Sequence, residues 1–316
     1  MVKSEKLLKG ALPAVGLAST LLFPSSAHAQ EKDPYKIGYV DPTARLGVLA
    51  VNVGVNGLLC GIVGAMDERN FFKDARKCMV GGTVQYVGME MGMHDIPVLP
   101  GVGLRLVETG TSIIENTLAG REPFERLHYE LGPMLYQINF KENGVDGVET
   151  HWRIAPVIGL IVNFAQGYKL NWSETFSYQT FVFNFDSVAD LNNPLTSFAL
   201  ANGIENTKRG YTLGNVMVYD QKYPYVAAHE FDHVLQYVRF RPAQLLVPEP
   251  LHFLEDTLHY RVGEDAASLL FHGINNLECV ITKDPYCSMH WWNITEAEAY
   301  VMMTGHEEYK KLPTSR

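Results

Sequence analysis

An uncharged stretch near the N-terminal end, LGVLAVNVGVNGLLCGIVGAM (46–66), constrains the fold more than any other feature of this chain. It is long enough to cross a bilayer as a helix, which takes about 20 apolar residues. It also carries glycines at mostly three- and four-residue spacing, namely Gly47, Gly54, Gly57, Gly61 and Gly64. This spacing makes a flat strip that another helix can approach closely. The stretch is therefore predicted to be a helix that either spans a membrane or packs on neighbouring helices, with possible contact to a membrane surface.

Two further helices are predicted directly after it, FFKDARKCMVGGTVQYVGMEMG (71–92) and GVGLRLVETGTSIIENTLAG (101–120). The first again has a face of small residues, and the second stops at Gly120, since glycine commonly follows the end of a helix. Three glycine-rich helices in succession indicate a tightly packed helical subdomain, which we assign to residues 30–125.

The pattern changes after residue 125. Residues 126–142 alternate around a Gly-Pro turn and predict strands, and the aromatic and threonine-rich residues 169–186 also predict a strand. Residues 153–167 fit a buried helix or a strand, with the helix favoured, and 211–220 predict one short strand. The expected fold class is α+β: the glycine-rich helical subdomain, then a small antiparallel sheet and a helical metal-site region within 126–316.

The first residues have the pattern of an export signal. Lys3, Lys6 and Lys9 form a positive leader, an apolar segment follows, and Ala27-His28-Ala29 places small residues where a signal peptidase reads. We interpret residues 1–29 as a cleaved secretory signal, with an uncleaved anchor helix as the alternative. The protein is therefore expected to be periplasmic or secreted, and possible membrane contact through 46–66 fits that location.

The cysteines are consistent with an oxidising compartment, where disulfides persist. Cys279 and Cys287 flank a short loop with an Asp-Pro turn, which favours a local bridge between them. Cys60 and Cys78 lie in apolar surroundings, so either they pair across two adjacent helices or they are buried free thiols.

Net charge argues against one class of partner. The formal net charge is -9, and no run of Lys and Arg is longer than two. Because phosphate contacts need clustered Lys and Arg, no nucleic-acid partner is expected.

The stretch AAHEFDHVLQY (227–237) carries the most specific chemistry in the chain. Residues four apart share one face of a helix, so His229 and His233 would direct their imidazoles to one point and could hold a zinc ion. Glu230 would lie beside the metal, where a carboxylate can accept a proton from a metal-activated water. This is the H-E-x-x-H pattern of zinc metallopeptidases, and its alternatives are a helix with two surface histidines and a zinc site without peptidase activity.

Neighbouring residues add to the expected site. The strand ending in VMVYD (216–220) precedes the helix, and we interpret it as an edge strand of the kind that in zinc peptidases often binds an extended substrate by β-augmentation. Asp232 is expected to face solvent or to orient His229 or His233 through a ring N–H. Gln236 either reaches the same cleft or completes a polar stripe.

A catalytic zinc takes three protein ligands and keeps one open position. We expect the third ligand to be a carboxylate on a downstream helix, and WWNITEAEAY (291–300) is the best candidate. Asn293 or Thr295 can cap that helix, which places Glu296 in its first turn. Glu264 and Glu255 are rival ligands.

These two patches resemble the gluzincin class of zinc metallopeptidases, loosely the branch of the CAAX-prenyl-protease-like and periplasmic quality-control enzymes. In that branch a second helix carries Glu-x-x-Ala-Asp, and its glutamate binds zinc. Glu296 and Ala299 match that pattern, whereas Tyr300 stands where the family has its acidic residue. The resemblance implies a zincin-like region with Zn²⁺ as cofactor, His229, His233 and Glu296 as ligands, and Glu230 as general base.

The predicted function is that of an exported zinc metallopeptidase acting on a protein or peptide substrate. The oxyanion stabiliser is not identified by the sequence, with Tyr237 and Tyr300 as the candidates. The alternative function is a non-catalytic, membrane-associated envelope protein that retains a zinc-binding helix.

Overall fold

A computed structural model of the chain describes residues 42–94, 96–142, 144–185, 210–222 and 225–242. The described part of the chain opens with three helices, and seven strands interspersed with three further helices follow. The helices in the described part are α1 (Pro42–Met66), α2 (Phe71–Gly92), α3 (Leu99–Leu118), α4 (Ile154–Ala165), α5 (Trp172–Tyr178) and α6 (Tyr225–Arg239).

The strands form two small sheets. They are β1 (Arg126–Leu131), β2 (Met134–Lys141), β3 (Gly144–Trp152), β4 (Lys169–Leu170), β5 (Phe181–Phe185), β6 (Gly210–Leu213) and β7 (Val216–Asp220). The first sheet has the order β1-β2-β3 and is antiparallel throughout. The second has the order β4-β5-β7-β6, and its central β5–β7 pair is parallel. The fold is mixed helix and sheet, as the predicted α+β class requires. It has two small sheets instead of the one antiparallel sheet that was predicted, and the second sheet is not purely antiparallel.

The three predicted N-terminal helices are present. Asn70 caps α2 by accepting a hydrogen bond from the backbone N–H of Lys73 at 3.0 Å. Helices α2 and α3 approach each other through glycines, because a Cβ placed on Gly88 would lie 2.6 Å from the main-chain oxygen of Gly103. The small-residue face in the sequence is therefore a helix–helix contact.

A disulfide between Cys60 and Cys78 joins α1 to α2. Of the two alternatives for these residues, the structure has the bridge across adjacent helices. The bridge expected between Cys279 and Cys287 lies outside the described residues.

Helix α1 is long and apolar enough to cross a membrane, with a mean hydropathy of 2.0, and 33% of its most apolar segment is buried inside the protein. Its buried side packs on α2, and Val48 belongs to the main core. Four of its exposed positions recur every fourth residue and are apolar: Leu46, Ala50, Gly54 and Leu58. We call these four residues the α1 stripe.

Two strand predictions need correction. The segment 169–186 is interrupted by helix α5, which begins where the Asn171 side chain accepts a hydrogen bond from the backbone N–H of Glu174 at 3.2 Å. The segment 211–220 is a hairpin rather than one strand, because Gly214 adopts a φ of +64° and turns the chain between β6 and β7. The turn around Gly132-Pro133 and the helix within 153–167 are confirmed as predicted.

The second sheet is covered on both faces. Successive side chains of a strand point to opposite faces, and both sets are buried here. Val182, Met217 and Tyr219 point into the main core with α6, whereas Phe183, Val216 and Val218 pack with Leu160 of α4. The main core also contains residues of α1, α2 and α3, namely Val48, Met89, Met93, Leu104 and Val107. The glycine-rich helices and the sheet that carries β7 therefore share one core across position 125.

Candidate metal centre

Helix α6 carries the H-E-x-x-H pattern through the middle of the protein. It contacts β6 and β7 on one side and α2 and α3 on another. Its apolar residues Val226, Phe231, Val234, Leu235 and Val238 are all fully buried. The Phe231 ring contacts the Tyr178 ring of α5 at a tilt of 58°, with 4.7 Å between the ring centroids. Packing on several sides fixes the helix, and with it the direction of its polar side chains.

The two histidines of the pattern converge on one point. The Nε2 atoms of His229 and His233 are 3.2 Å apart, and the two ring planes are nearly perpendicular. His229 is buried, whereas His233 is partly exposed. The site is therefore enclosed by protein on the His229 side and more open on the His233 side.

This spacing fits a shared metal ion. Two imidazole nitrogens that each lie about 2.05 Å from one tetrahedral zinc are about 3.3 Å apart. The observed 3.2 Å separation agrees with that value, and both atoms are the nitrogens that face away from the helix backbone. Neutral imidazole is a preferred zinc donor, so the chemistry and the geometry of this pair fit the ion.

The third ligand is not among the residues that the structure describes. Within that part of the chain, no group of three His, Cys, Asp or Glu side chains is arranged to hold a metal. Glu296, the predicted ligand, and its rivals Glu264 and Glu255 all lie outside the described residues. Tyr300, one of the two candidate oxyanion stabilisers, lies outside them as well.

Glu230 lies against strand β6. The Oγ1 atom of Thr212 is 2.9 Å from Glu230 Oε2 and 2.8 Å from its main-chain oxygen, so the hydroxyl donates to this residue. Gly210 gives the carboxylate room, because a Cβ there would lie 2.7 Å from Glu230 Oε1. The carboxylate is thus held against strand β6 by contacts with Gly210 and Thr212.

Strand β6, rather than the predicted VMVYD strand, lies at the edge of the sheet. Residues 216–220 form β7, which is hydrogen-bonded on both sides, by β5 and β6. The prediction that VMVYD is the edge strand is therefore wrong for the described part of the sheet, because the hairpin at Gly214 places β6 outside it.

Asp232 and Gln236 are fully buried and hydrogen-bonded to each other, and Gln236 is also hydrogen-bonded to His233. Gln236 Nε2 is 2.8 Å from Asp232 Oδ2, and Gln236 Oε1 is 2.9 Å from His233 Nδ1. Asp232 does not face solvent, and it reaches His233 through Gln236. Gln236 therefore contacts one of the two histidines directly.

The Tyr237 hydroxyl, a candidate oxyanion stabiliser, is engaged in another contact. Its hydroxyl accepts a hydrogen bond of 2.6 Å from the Arg153 guanidinium, which also lies over the ring. Arg153 is itself paired with Glu130 at 2.7 Å, and all three side chains are buried. Tyr237 therefore ties α6 to β1 through a buried ion pair.

This buried ion pair belongs to a larger charge cluster between α3, β1 and the end of α6. Burial, opposed by Arg105, raises the pKa of the Glu108 carboxyl to about 7. Burial acts in the same direction on Glu115, but Arg241 and then His128 outweigh it and lower the pKa of that carboxyl to about 2. The cluster anchors the segment that follows α6 to the glycine-rich helices.

Thr212 and Gly210 were not identified from the sequence. The available signal was the Leu-Gly-Asn sequence (213–215), which is compatible with a hairpin turn and would have placed residues 210 and 212 on one face of β6. Nothing in the local sequence relates that face to Glu230, because their contact is made across the core.

No protein-family model, curated protein or solved structure matches this chain.

Proposed function

We propose that the protein is an exported zinc metallopeptidase that hydrolyses peptide bonds at the site formed by His229, Glu230 and His233. The observation that carries the proposal is the 3.2 Å separation of the two Nε2 atoms, and the carboxylate of Glu230, the residue after His229, is held by Thr212. Glu296 is the third ligand in this proposal. A bound zinc ion supplies Lewis-acid polarisation of a carbonyl group and activation of a water molecule.

The residues of the chain perform the remaining steps. Glu230 accepts a proton from the attacking water and delivers it to the leaving amine, as a positioned general base and acid. Thr212 holds the Glu230 carboxylate in place through its hydroxyl. Burial of Glu230 limits the competing water around it, which strengthens its electrostatic interactions.

A peptide substrate is supported by strand β6. It lies at the edge of the described sheet, and edge strands offer backbone N–H and C=O groups to an extended chain. Because Gly210 and Thr212 of this strand contact Glu230, a peptide paired with β6 would pass close to the base.

Export and membrane contact are part of the proposal. The Cys60–Cys78 disulfide supports an oxidising compartment, the periplasm or the exterior. The α1 stripe is the surface through which we propose membrane contact, because its exposed residues are uncharged along the full length of the stripe.

The test combines metal analysis with hydrolysis. After dialysis against zinc and removal of excess, the purified protein should hold about one zinc ion and should digest a peptide library in a chelator-sensitive manner. The Glu230→Gln variant should keep its zinc and lose at least 100-fold in hydrolysis, since general acid–base catalysis contributes about 10²–10⁴-fold. His233→Ala should lose the metal, and Glu149→Gln, on strand β3 of the other sheet, should behave as wild type.

Two results would contradict the proposal in different ways. Wild-type protein that takes up no zinc would refute the metal site. Protein that binds one zinc but hydrolyses nothing, with or without Glu230, would favour the alternative of a non-catalytic envelope protein that retains a zinc-binding helix.

A further inference from the structure

We propose that Asp232 and Gln236 are positioning residues that fix the tautomer of His233, so that its Nε2 lone pair is presented to the metal. This inference rests on the proposed zinc site, but it concerns the protein before any metal binds. It gives a reason for the presence of two fully buried polar residues, Asp232 and Gln236, in helix α6.

The three side chains form a continuous chain on one side of α6. Asp232 and Gln236 are four residues apart, and His233 and Gln236 are three apart, so helix geometry brings them together. The distances are 2.8 Å from Gln236 Nε2 to Asp232 Oδ2 and 2.9 Å from Gln236 Oε1 to His233 Nδ1.

Hydrogen-bond chemistry decides which atom donates in each of these two contacts. The NH₂ group of Gln236 donates to Asp232 Oδ2, since an amide nitrogen only donates hydrogen bonds. The amide oxygen then points to His233, and it can only accept, so His233 Nδ1 must carry the proton. In a neutral imidazole the other nitrogen is then unprotonated, and His233 Nε2 is left with the lone pair that a metal requires.

Without these two hydrogen bonds, His233 could also adopt the opposite tautomer. That tautomer places a hydrogen on Nε2, in the position of the lone pair that would bind the metal. Partners of this kind beyond the ligands are known to set ring orientation and tautomer, and their loss costs about 10–100-fold in metal affinity. Here both partners lie on the H-E-x-x-H helix itself. Gln236 contacts the His233 ring, and Asp232, the residue before His233, holds Gln236.

Burial makes the arrangement specific. Both Asp232 and Gln236 are fully buried, at 0% exposure. A solvent-exposed glutamine could be replaced by water in its contact with the ring, but a buried one cannot be replaced easily. The tautomer should therefore depend on residue 236.

The first measurement is nitrogen NMR of the chelator-treated protein, at a pH where the histidines are neutral. The ¹⁵N shifts and couplings of the His233 ring report which nitrogen carries the proton. We expect the Nδ1–H form in wild type and loss of its dominance in Gln236→Leu. An Nε2–H form in wild type would overturn the proposal.

The second measurement is zinc affinity by competition with a chelating dye. Gln236→Leu should weaken zinc binding about 10–100-fold. The double variant Asp232→Asn, Gln236→Glu exchanges acid and amide, keeps the net charge, and keeps an acceptor facing His233 Nδ1. It should retain the Nδ1–H tautomer and most of the affinity, even if Gln236→Leu is too unstable to study.

A matched control separates positioning from general damage. Gln85 is also a buried glutamine inside a helix, and its Nε2 donates to Thr111 Oγ1 at 2.9 Å. Gln85→Leu should lower stability without changing the His233 tautomer or the zinc affinity. Equal zinc affinity in wild type and Gln236→Leu would refute the positioning role.

The two proposals fail separately. If wild-type protein binds no zinc, the proposed function fails, while the NMR experiment still decides whether Asp232 and Gln236 set the tautomer. If zinc binds and peptides are cleaved but His233 is indifferent to Gln236, only the positioning role is lost.

Discussion

At the scale of single residues, the carboxylate of the candidate base Glu230 is held by a residue of a strand as well as by its own helix. Thr212 lies on β6, yet its hydroxyl is within hydrogen-bonding distance of both the carboxylate and the main-chain oxygen of Glu230. Residue 212 thus couples the edge strand, where a substrate would pair, to the group that would move the proton.

Replacing this hydroxyl tests the coupling. We expect Thr212→Val to lower kcat/KM about 10-fold, equivalent to about 1.4 kcal/mol, with zinc content unchanged, because the carboxylate loses a donor but the metal keeps its ligands. Steady-state peptide hydrolysis measures the effect. Thr83→Val, an exposed threonine of α2 that bonds only to Met79 in its own helix, is the control. Equal loss in both variants would show that Thr212 has no specific role.

Glu108 gives a residue-scale prediction about pH. Its pKa is raised from 4.5 to about 7, chiefly by burial, so the folded protein binds this proton more tightly than the unfolded chain does. The resulting stabilisation is complete below about pH 4.5 and is lost as the pH rises through about 7, and it amounts to about 3 kcal/mol. Glu115 acts outside this window, because its stabilisation is lost only as the pH falls towards about 2.

We therefore expect the free energy of unfolding to decrease between pH 5 and pH 8 in wild type, and to decrease less in Glu108→Gln, which lacks the titrating carboxyl. Urea unfolding at a series of pH values measures both slopes. The exposed Glu149→Gln variant should keep the wild-type slope. Parallel curves for wild type and Glu108→Gln would contradict the role of this carboxyl.

At the scale of elements, the glycines decide how closely α2 and α3 pack. A Cβ on Gly88 would lie 2.6 Å from Gly103 O and 2.7 Å from Val107 N, and both are backbone atoms that cannot rotate away. By contrast, a Cβ on Gly54 in α1 would meet nothing within 4 Å. The two positions are both glycines inside helices, but only one of them is a contact.

Alanine substitution should separate these two positions. We expect Gly88→Ala to lower the free energy of unfolding by about 1–3 kcal/mol, because the helices must move apart. Gly54→Ala should leave it unchanged or raise it by up to about 1 kcal/mol, since alanine loses less entropy in a helix. Urea denaturation of both variants is the measurement, and a neutral Gly88→Ala would show that the interface can relax.

At the scale of the whole molecule, the α1 stripe is a row of exposed apolar residues on the surface of the protein. Leu46 and Leu58 are 62% and 48% exposed on a helix that has no charge between 46 and 66. The same helix is joined to α2 by a disulfide and contributes Val48 to the main core. An apolar helix fixed to a folded core in this way can rest on a bilayer with one face.

Membrane contact is tested by flotation with lipid vesicles. We expect wild type to float with the vesicles and Leu46→Glu, Leu58→Glu to remain in the soluble fraction, because charge on the stripe opposes insertion. Val145→Glu, Val148→Glu changes two equally exposed residues of β3 and should float like wild type. Flotation unaffected by the stripe variant, or absent in wild type, would contradict the assignment of this surface.

Local patterns determined much of this protein. The three N-terminal helices, the Gly-Pro turn, the helix within 153–167 and the H-E-x-x-H helix follow from periodicity, turn residues and caps, which act over a few neighbouring positions. The convergence of His229 and His233 was also predictable, because residues four apart on a helix lie on the same face.

Other features were decided only by the tertiary structure. The parallel pairing of β5 with β7, the position of β6 at the edge, and the contact of Thr212 with Glu230 join residues far apart in the chain. Similarly, the spacing placed Gln236 near His233, but packing around α6 selected the side-chain positions that give the Asp232–Gln236–His233 chain its direction. Contacts across a core depend on which faces pack together, and no local stretch of sequence carries that information.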